Sequence, residues 1–93
     1  MIRSFKCRDT QKVFNYEQTL RWSEPVRKAA LRRLYALDAA TNLLDLRSPP
    51  SNRLEKLRGG RAGQHSIRIN DQWRICFVWG QMGARDVEIV DYH

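Results

Sequence analysis

Cysteine is scarce in this sequence, and the scarcity removes two classes of protein. Cys7 and Cys76 stand far apart, and neither has His or Cys neighbours at a zinc-binding spacing. A disulfide-stapled secreted domain and a zinc module are therefore disfavoured, and buried free thiols in a reducing compartment are the expectation. Glycine and proline number five and three, which is ordinary and argues against disorder. Apolar runs are short. None reaches membrane-spanning length, and Met1–Lys6 lacks the apolar core of a signal peptide, so a cytoplasmic protein with no membrane contact is expected. There is no internal repeat and no low-complexity tract. Acidic residues are few: ten Asp and Glu face seventeen Lys and Arg, giving a formal charge of +7.

What is present is a basic chain of 93 residues, 42% hydrophobic, which suits one domain over residues 1–93. Thirteen of the seventeen cations are Arg. Arg carries a planar fork that meets phosphate oxygens two at a time, whereas Lys is a hydrated point charge. The surplus points to nucleic acid, with solubility as the plainer alternative.

Residues 2–6 alternate apolar and polar and predict a first strand. Asp9 or Thr10 can cap a short helix running to about Tyr16. Ser23-Glu24-Pro25 is a helix start, and Val26, Ala30, Leu34, Leu37 and Leu44 form a stripe that predicts a helix to about Asp45. The basic run Arg27, Lys28, Arg32 and Arg33 lies off that stripe, as a solvated face or a place for an acidic partner. Arg47-Ser48-Pro49-Pro50-Ser51-Asn52 breaks the helix and makes a loop. Three strand signals follow, HSIRIN, WRICFVW and ARDVEIVDY, with a hairpin turn at Gln81–Ala84 between the last two. The predicted fold is α+β: two N-terminal helices packed on one face of a mainly antiparallel, twisted sheet.

If the late strands are neighbours, Glu55, Arg58, Arg61, His65, Arg68, Arg74, Asp91, Tyr92 and His93 can converge on one sheet face. This is a metal-free inventory: a carboxylate, guanidiniums, a phenol and imidazoles. It matches what cleavage of RNA by its own 2′-hydroxyl requires, namely a base, an acid and cations for the charge building on phosphorus. Arg74 stands out because it interrupts an apolar strand, where a guanidinium is costly unless paired or functional. Its alternative is a structural salt bridge with Asp91 or Glu88. Tyr92 can be an ordinary strand residue and His93 a frayed end, although the α-carboxylate beside that imidazole favours its protonated form.

The run NRLEKLRGGRAGQHSIRINDQWRICFVW and the closing VEIVDYH resemble the HigB type of bacterial toxin, in the RelE superfamily. The L-x-x-L-[KR]-G element, the S-I-R-I-x-x-x-W-R-I strand pair and the terminal D-Y-H carry the resemblance, which extends over essentially the whole chain. It implies an mRNA endonuclease that acts on translating ribosomes without a metal or other cofactor. It also implies a cognate helix-turn-helix (HigA-like) antitoxin, through which operator DNA would be met. By position, Arg74 would stabilise the transition state, and Arg58 stands where the family commonly has Lys. Tyr92 would orient or stack on substrate, with Asp91 and His93 in proton transfer or support. Apart from the resemblance, Arg61, His65 and Arg68 are expected as RNA contacts, with His65 more a strand residue than a catalyst. Glu55 departs from the pattern. It falls where HigB members have His but where the YoeB branch has a carboxylate thought to act as general base. It would take the 2′-proton or hold an arginine in place. Two other classes fit the same charge: a non-catalytic RNA-binding translation blocker, and a co-repressor subunit that only docks an antitoxin.

Overall fold

A computed structural model describes residues 1–91. The expectations for Tyr92 and His93 lie outside the described residues. Helices α1 (Arg8–Phe14) and α2 (Glu24–Ala39) precede strands β1 (Glu55–Lys56), β2 (His65–Arg68), β3 (Trp73–Gly80) and β4 (Gly83–Asp91). The strands form one sheet in the order β1-β2-β3-β4, and every named neighbour pair is antiparallel. Both helices lie on β4, and α2 also reaches β3, so the helices share one side of the sheet as expected.

The core follows from two periodicities. Ala30, Leu34 and Leu37 of α2 are fully buried at helical spacing. They meet Ile67, Ile75, Phe77, Val87 and Ile89, the alternate residues of β2, β3 and β4. Helix α1 is tied in differently. The Thr10 hydroxyl, expected as a cap, instead accepts a hydrogen bond from the Ile89 amide at 3.0 Å inside the core.

Helix α2 starts where Ser23-Glu24-Pro25 predicts but ends at Ala39, not Asp45. The reason is a second start signal. Asn42 and Asp45 form a capping box that opens a separate 3-10 turn over Leu43–Arg47, with the Asp45 carboxylate accepting from the Thr41 and Asn42 amides at 3.1 Å. Leu44, counted in the helical stripe, is therefore exposed.

The segment expected as a first strand runs parallel to β4 but forms no continuous strand there, pairing through two isolated bridges, Ile2–Ala84 and Phe5–Val87. Between Arg85 and Glu88 β4 bulges at Asp86–Val87, two residues that face Phe77 alone; Asp86 is left-handed (φ 53°) and its amide turns to the Ser4 hydroxyl at 2.9 Å. The bulge also explains why Ala84 and Val87, three apart, are both buried. The turn between β3 and β4 is the predicted one, with Gly80 paired to Gly83. Gly83 has φ +112°, and a Cβ there would collide with the Met1 carbonyl, so the site requires glycine.

Candidate active site

Residues directly opposite one another in a sheet share a face. By register, Glu55, Ser66, Cys76 and Glu88 form one row across all four strands on the face away from the helices. Arg68, Arg74 and Val90 form the adjoining row. The inward partners Ile67, Ile75 and Ile89 fill the other face.

Arg74 is the centre of this open face and is only 4% exposed. A buried guanidinium must have its N–H groups met. Its Nε donates to the Ser66 Oγ at 2.8 Å and its Nη2 to the Arg53 carbonyl at 2.6 Å. A Glu55 carboxylate oxygen lies 3.9 Å away. The Arg53 carbonyl is presented by an unusual backbone. Arg53 is left-handed (φ 46°) at the end of the 3-10 turn Pro50–Asn52, and Asn52 anchors that turn by donating to the Leu46 and Ser48 carbonyls at 3.1 and 3.3 Å. Of the two carboxylates suggested as structural partners for Arg74, Glu88 is engaged by Arg61 at 2.9 Å and by Lys6 at 3.9 Å.

Arg68 sits directly opposite Arg74. Two like charges face to face are unfavourable, and the pair is resolved by divergence: Arg68 turns to the Asp71 carboxylate, while Arg74 reaches diagonally to Ser66. Arg61 is held by Glu88 and by the Gln64 side chain, at 2.9 and 3.1 Å. The Glu88 bond raises the Arg61 pKa further above its ordinary value, against a smaller desolvation. Burial pushes the Cys76 thiol, in the row beside these groups, upward.

Two neighbouring hollows divide the expected residues. Glu55, Arg68 and Arg74 line one with Arg53, Asn70 and Asp71. Arg58, Arg61 and Asp91 line the other with Leu57, Cys76 and Val90. Asp91 also accepts from the Gln72 side-chain Nε2 at 3.2 Å. His65 is not brought into the group. It lies opposite Phe77 on the helix side of the sheet, stacked on that ring at 6.2 Å. Burial, helped by the Lys56 charge, pushes its imidazole pKa down, and its Nδ1 is buried without a hydrogen-bond partner among the described residues.

Sequence reasoning missed Ser66, Arg53 and Asp71. Ser66 has the parity of Arg68 and Asn70, so alternation already placed it on their face. The Arg53 carbonyl and the Asp71 pairing left no such signal. Both cysteines are free, but only Cys76 is buried, and Cys7 is half-buried. Among the described residues no group of three or more His, Cys, Asp or Glu is placed to hold a metal ion, and no helix is long and apolar enough to cross a membrane.

A helix pair on one side of a four-stranded antiparallel sheet is the RelE-like toxin fold. The YoeB–YefM complex of Staphylococcus aureus superposes with a TM-score of 0.63 over 100% of this chain and 98% of that one, at 17% identity. Residues 3–93 match the family described as the RelE-like toxin of the type II toxin–antitoxin system HigB, and the chain belongs to that family. It is 31% identical over its full length, and over 100% of the relative, to a Proteus vulgaris protein named Endoribonuclease HigB. It is 48% identical over 54 residues to Toxin HigB-1 of Vibrio cholerae, a match covering 58% of this chain and 57% of that one. A Haemophilus influenzae protein is 42% identical over 52 residues, 56% of this chain and 52% of that protein. The aligned stretch thus spans little more than half the length of these last two relatives.

Proposed function

We propose that residues 1–93 are a single toxin domain that cleaves mRNA on the ribosome, without a metal, by attack of the 2′-hydroxyl on the adjacent phosphate. The 2′-oxygen bonds to phosphorus, the bond to the 5′-oxygen breaks, and a 2′,3′-cyclic phosphate and a 5′-hydroxyl result. The observation that carries this reading is Arg74: an immobilised, nearly buried guanidinium beside the Glu55 carboxylate. A preset cation stabilises charge that develops on phosphate oxygens in the transition state without reorganising at the moment of reaction. Glu55 takes the 2′-proton, and His93 returns a proton to the leaving 5′-oxygen, with Asp91 and Tyr92 supporting donor and substrate. Arg58 grips a flanking phosphate, and Arg61 and Arg68, already paired with Glu88 and Asp71, border the path of the strand. The ribosome supplies the substrate geometry, because the hollows are open and shared among few positioning groups.

The relative named Endoribonuclease HigB is similar over its whole length and supports the activity. The structural neighbour is a toxin bound to its antitoxin and supports an antitoxin partner for this chain. The antitoxin is of the helix-turn-helix (HigA-like) type and carries the operator-DNA contact, and the toxin works in the cytoplasm. The test is the chemistry of the ends. Message cut in a reconstituted translation system should carry 5′-hydroxyl termini, which a kinase labels without prior phosphatase treatment. Ends bearing 5′-phosphate would contradict 2′-hydroxyl attack, and arrested translation with intact message would make the chain a non-catalytic blocker.

A further inference from the structure

We propose that Ser66 is the positioning residue of the site: its hydroxyl fixes the plane of the Arg74 guanidinium and so sets the rate of the chemical step. The inference rests on the proposed role of Arg74 in cleavage.

Three observations converge on it. Ser66 is fully buried, so bulk water does not compete with its hydroxyl for the Arg74 guanidinium. It is the diagonal cross-strand neighbour of Arg74, since Arg68 stands directly opposite. A diagonal separation of about 7–8 Å suits a long side chain, and the 2.8 Å bond from Nε realises that reach. The second anchor, the Arg53 carbonyl, holds a different nitrogen, Nη2, at 2.6 Å. A planar group held at two nitrogens cannot rotate about its last torsion without breaking one of the bonds.

The Glu55 carboxylate does not provide the same constraint. It stands 3.9 Å from Nη2 on a side chain 46% exposed, a contact that balances charge but tolerates movement. The geometry thus divides the labour: Glu55 sets charge, while Ser66 and Arg53 set direction. Only the side chain of Ser66 is open to substitution, because the Arg53 contact is a backbone carbonyl. Ser66 touches Arg74, not substrate, so its loss should appear in the rate of cleavage and leave binding of the loaded ribosome alone. A purely structural hydroxyl would show no such split.

The experiment combines kinetics with a measurement on the unaltered protein. Ser66→Ala should lower the single-turnover cleavage rate at saturating ribosome–mRNA complex by about 10- to 100-fold, the size expected of a misplaced catalytic group, with the half-saturating concentration unchanged within about twofold. Ser66→Thr restores the hydroxyl and should recover most of the rate. Cleavage by Ser66→Ala at the wild-type rate overturns the proposal. So does a Thr variant as impaired as the Ala variant, or a loss confined to half-saturation. Arg74→Ala separates the two levels. If it cleaves normally, the proposed function itself fails. If it is inactive while Ser66→Ala is not, only the positioning role fails. Should Ser66→Ala not fold, NMR on the wild-type protein still decides: the Arg74 Nε–H must exchange with water far more slowly than those of exposed arginines, and equal exchange overturns the proposal.

Discussion

At the scale of single residues, the proposed chemistry would depend on the shape of Arg74 as much as on its charge. Arg74→Lys keeps the cation but has no Nε to donate to Ser66 while a second nitrogen reaches the Arg53 carbonyl. It should cut at least about 100-fold more slowly in a single-turnover cleavage assay, as expected when one aimed transition-state donor is lost. His65 carries a different expectation. Burial lowers its pKa in the folded chain, so the folded state binds fewer protons than the unfolded one as pH falls through the ordinary imidazole value of about 6.5. The neutral-His contribution is present above that value and is lost below it. Stability from urea denaturation should therefore fall as the pH drops through about 6.5 and below, and His65→Phe should flatten that slope. Arg74 was legible as a charge in an apolar strand. His65 was also legible, though it was grouped with the arginines: it shares parity with Ile67 and Ile69, which the core buries. The Arg53 carbonyl was not legible, because a left-handed backbone at an arginine has no side-chain signature.

Elements were readable where one local rule governs them and unreadable where partners decide. The stripe on α2 and its Ser-Glu-Pro start belong to the first kind. So does its early end, since Asn42 and Asp45 spell a capping box that a longer hydrophobic stripe concealed. The two-residue strand β1 exists only because β2 lies beside it. The N-terminal segment likewise shows a strand pattern that does not name its neighbour, β4, or the bulge that interrupts their pairing. Gly83 joins both elements. Because a Cβ there meets the Met1 backbone and φ is positive, Gly83→Ala should destabilise the fold by about 2 kcal/mol. Protection of the Ala84 amide, which donates to the Met1 carbonyl at 3.1 Å, should fall with it in hydrogen exchange.

For the whole molecule, the net charge of +7 overstates the cations available to RNA, since Arg61 and Lys6 share Glu88 and Arg68 faces Asp71. Composition pointed to an anionic partner but gave no sign of this internal pairing, which the register of the sheet creates. Exposed Arg58 is the phosphate contact to test. Affinity for ribosomes should drop steeply with salt, and Arg58→Ala should make the log–log slope shallower by about one unit in a filter-binding titration. The α+β class, the helix-covered face and the arginine-bearing face all follow from hydrophobic period and charge. The division of the open face into two hollows does not, because it depends on how the loop at residues 57–61 folds back beside β3 and β4. The most direct measurement is primer extension on an mRNA in a reconstituted translation system, with wild type and Arg74→Ala, with and without ribosomes. The account predicts discrete new 5′ ends that appear only with the wild-type chain and only when ribosomes are present. The same ends with Arg74→Ala, or ends that form without ribosomes, would contradict it.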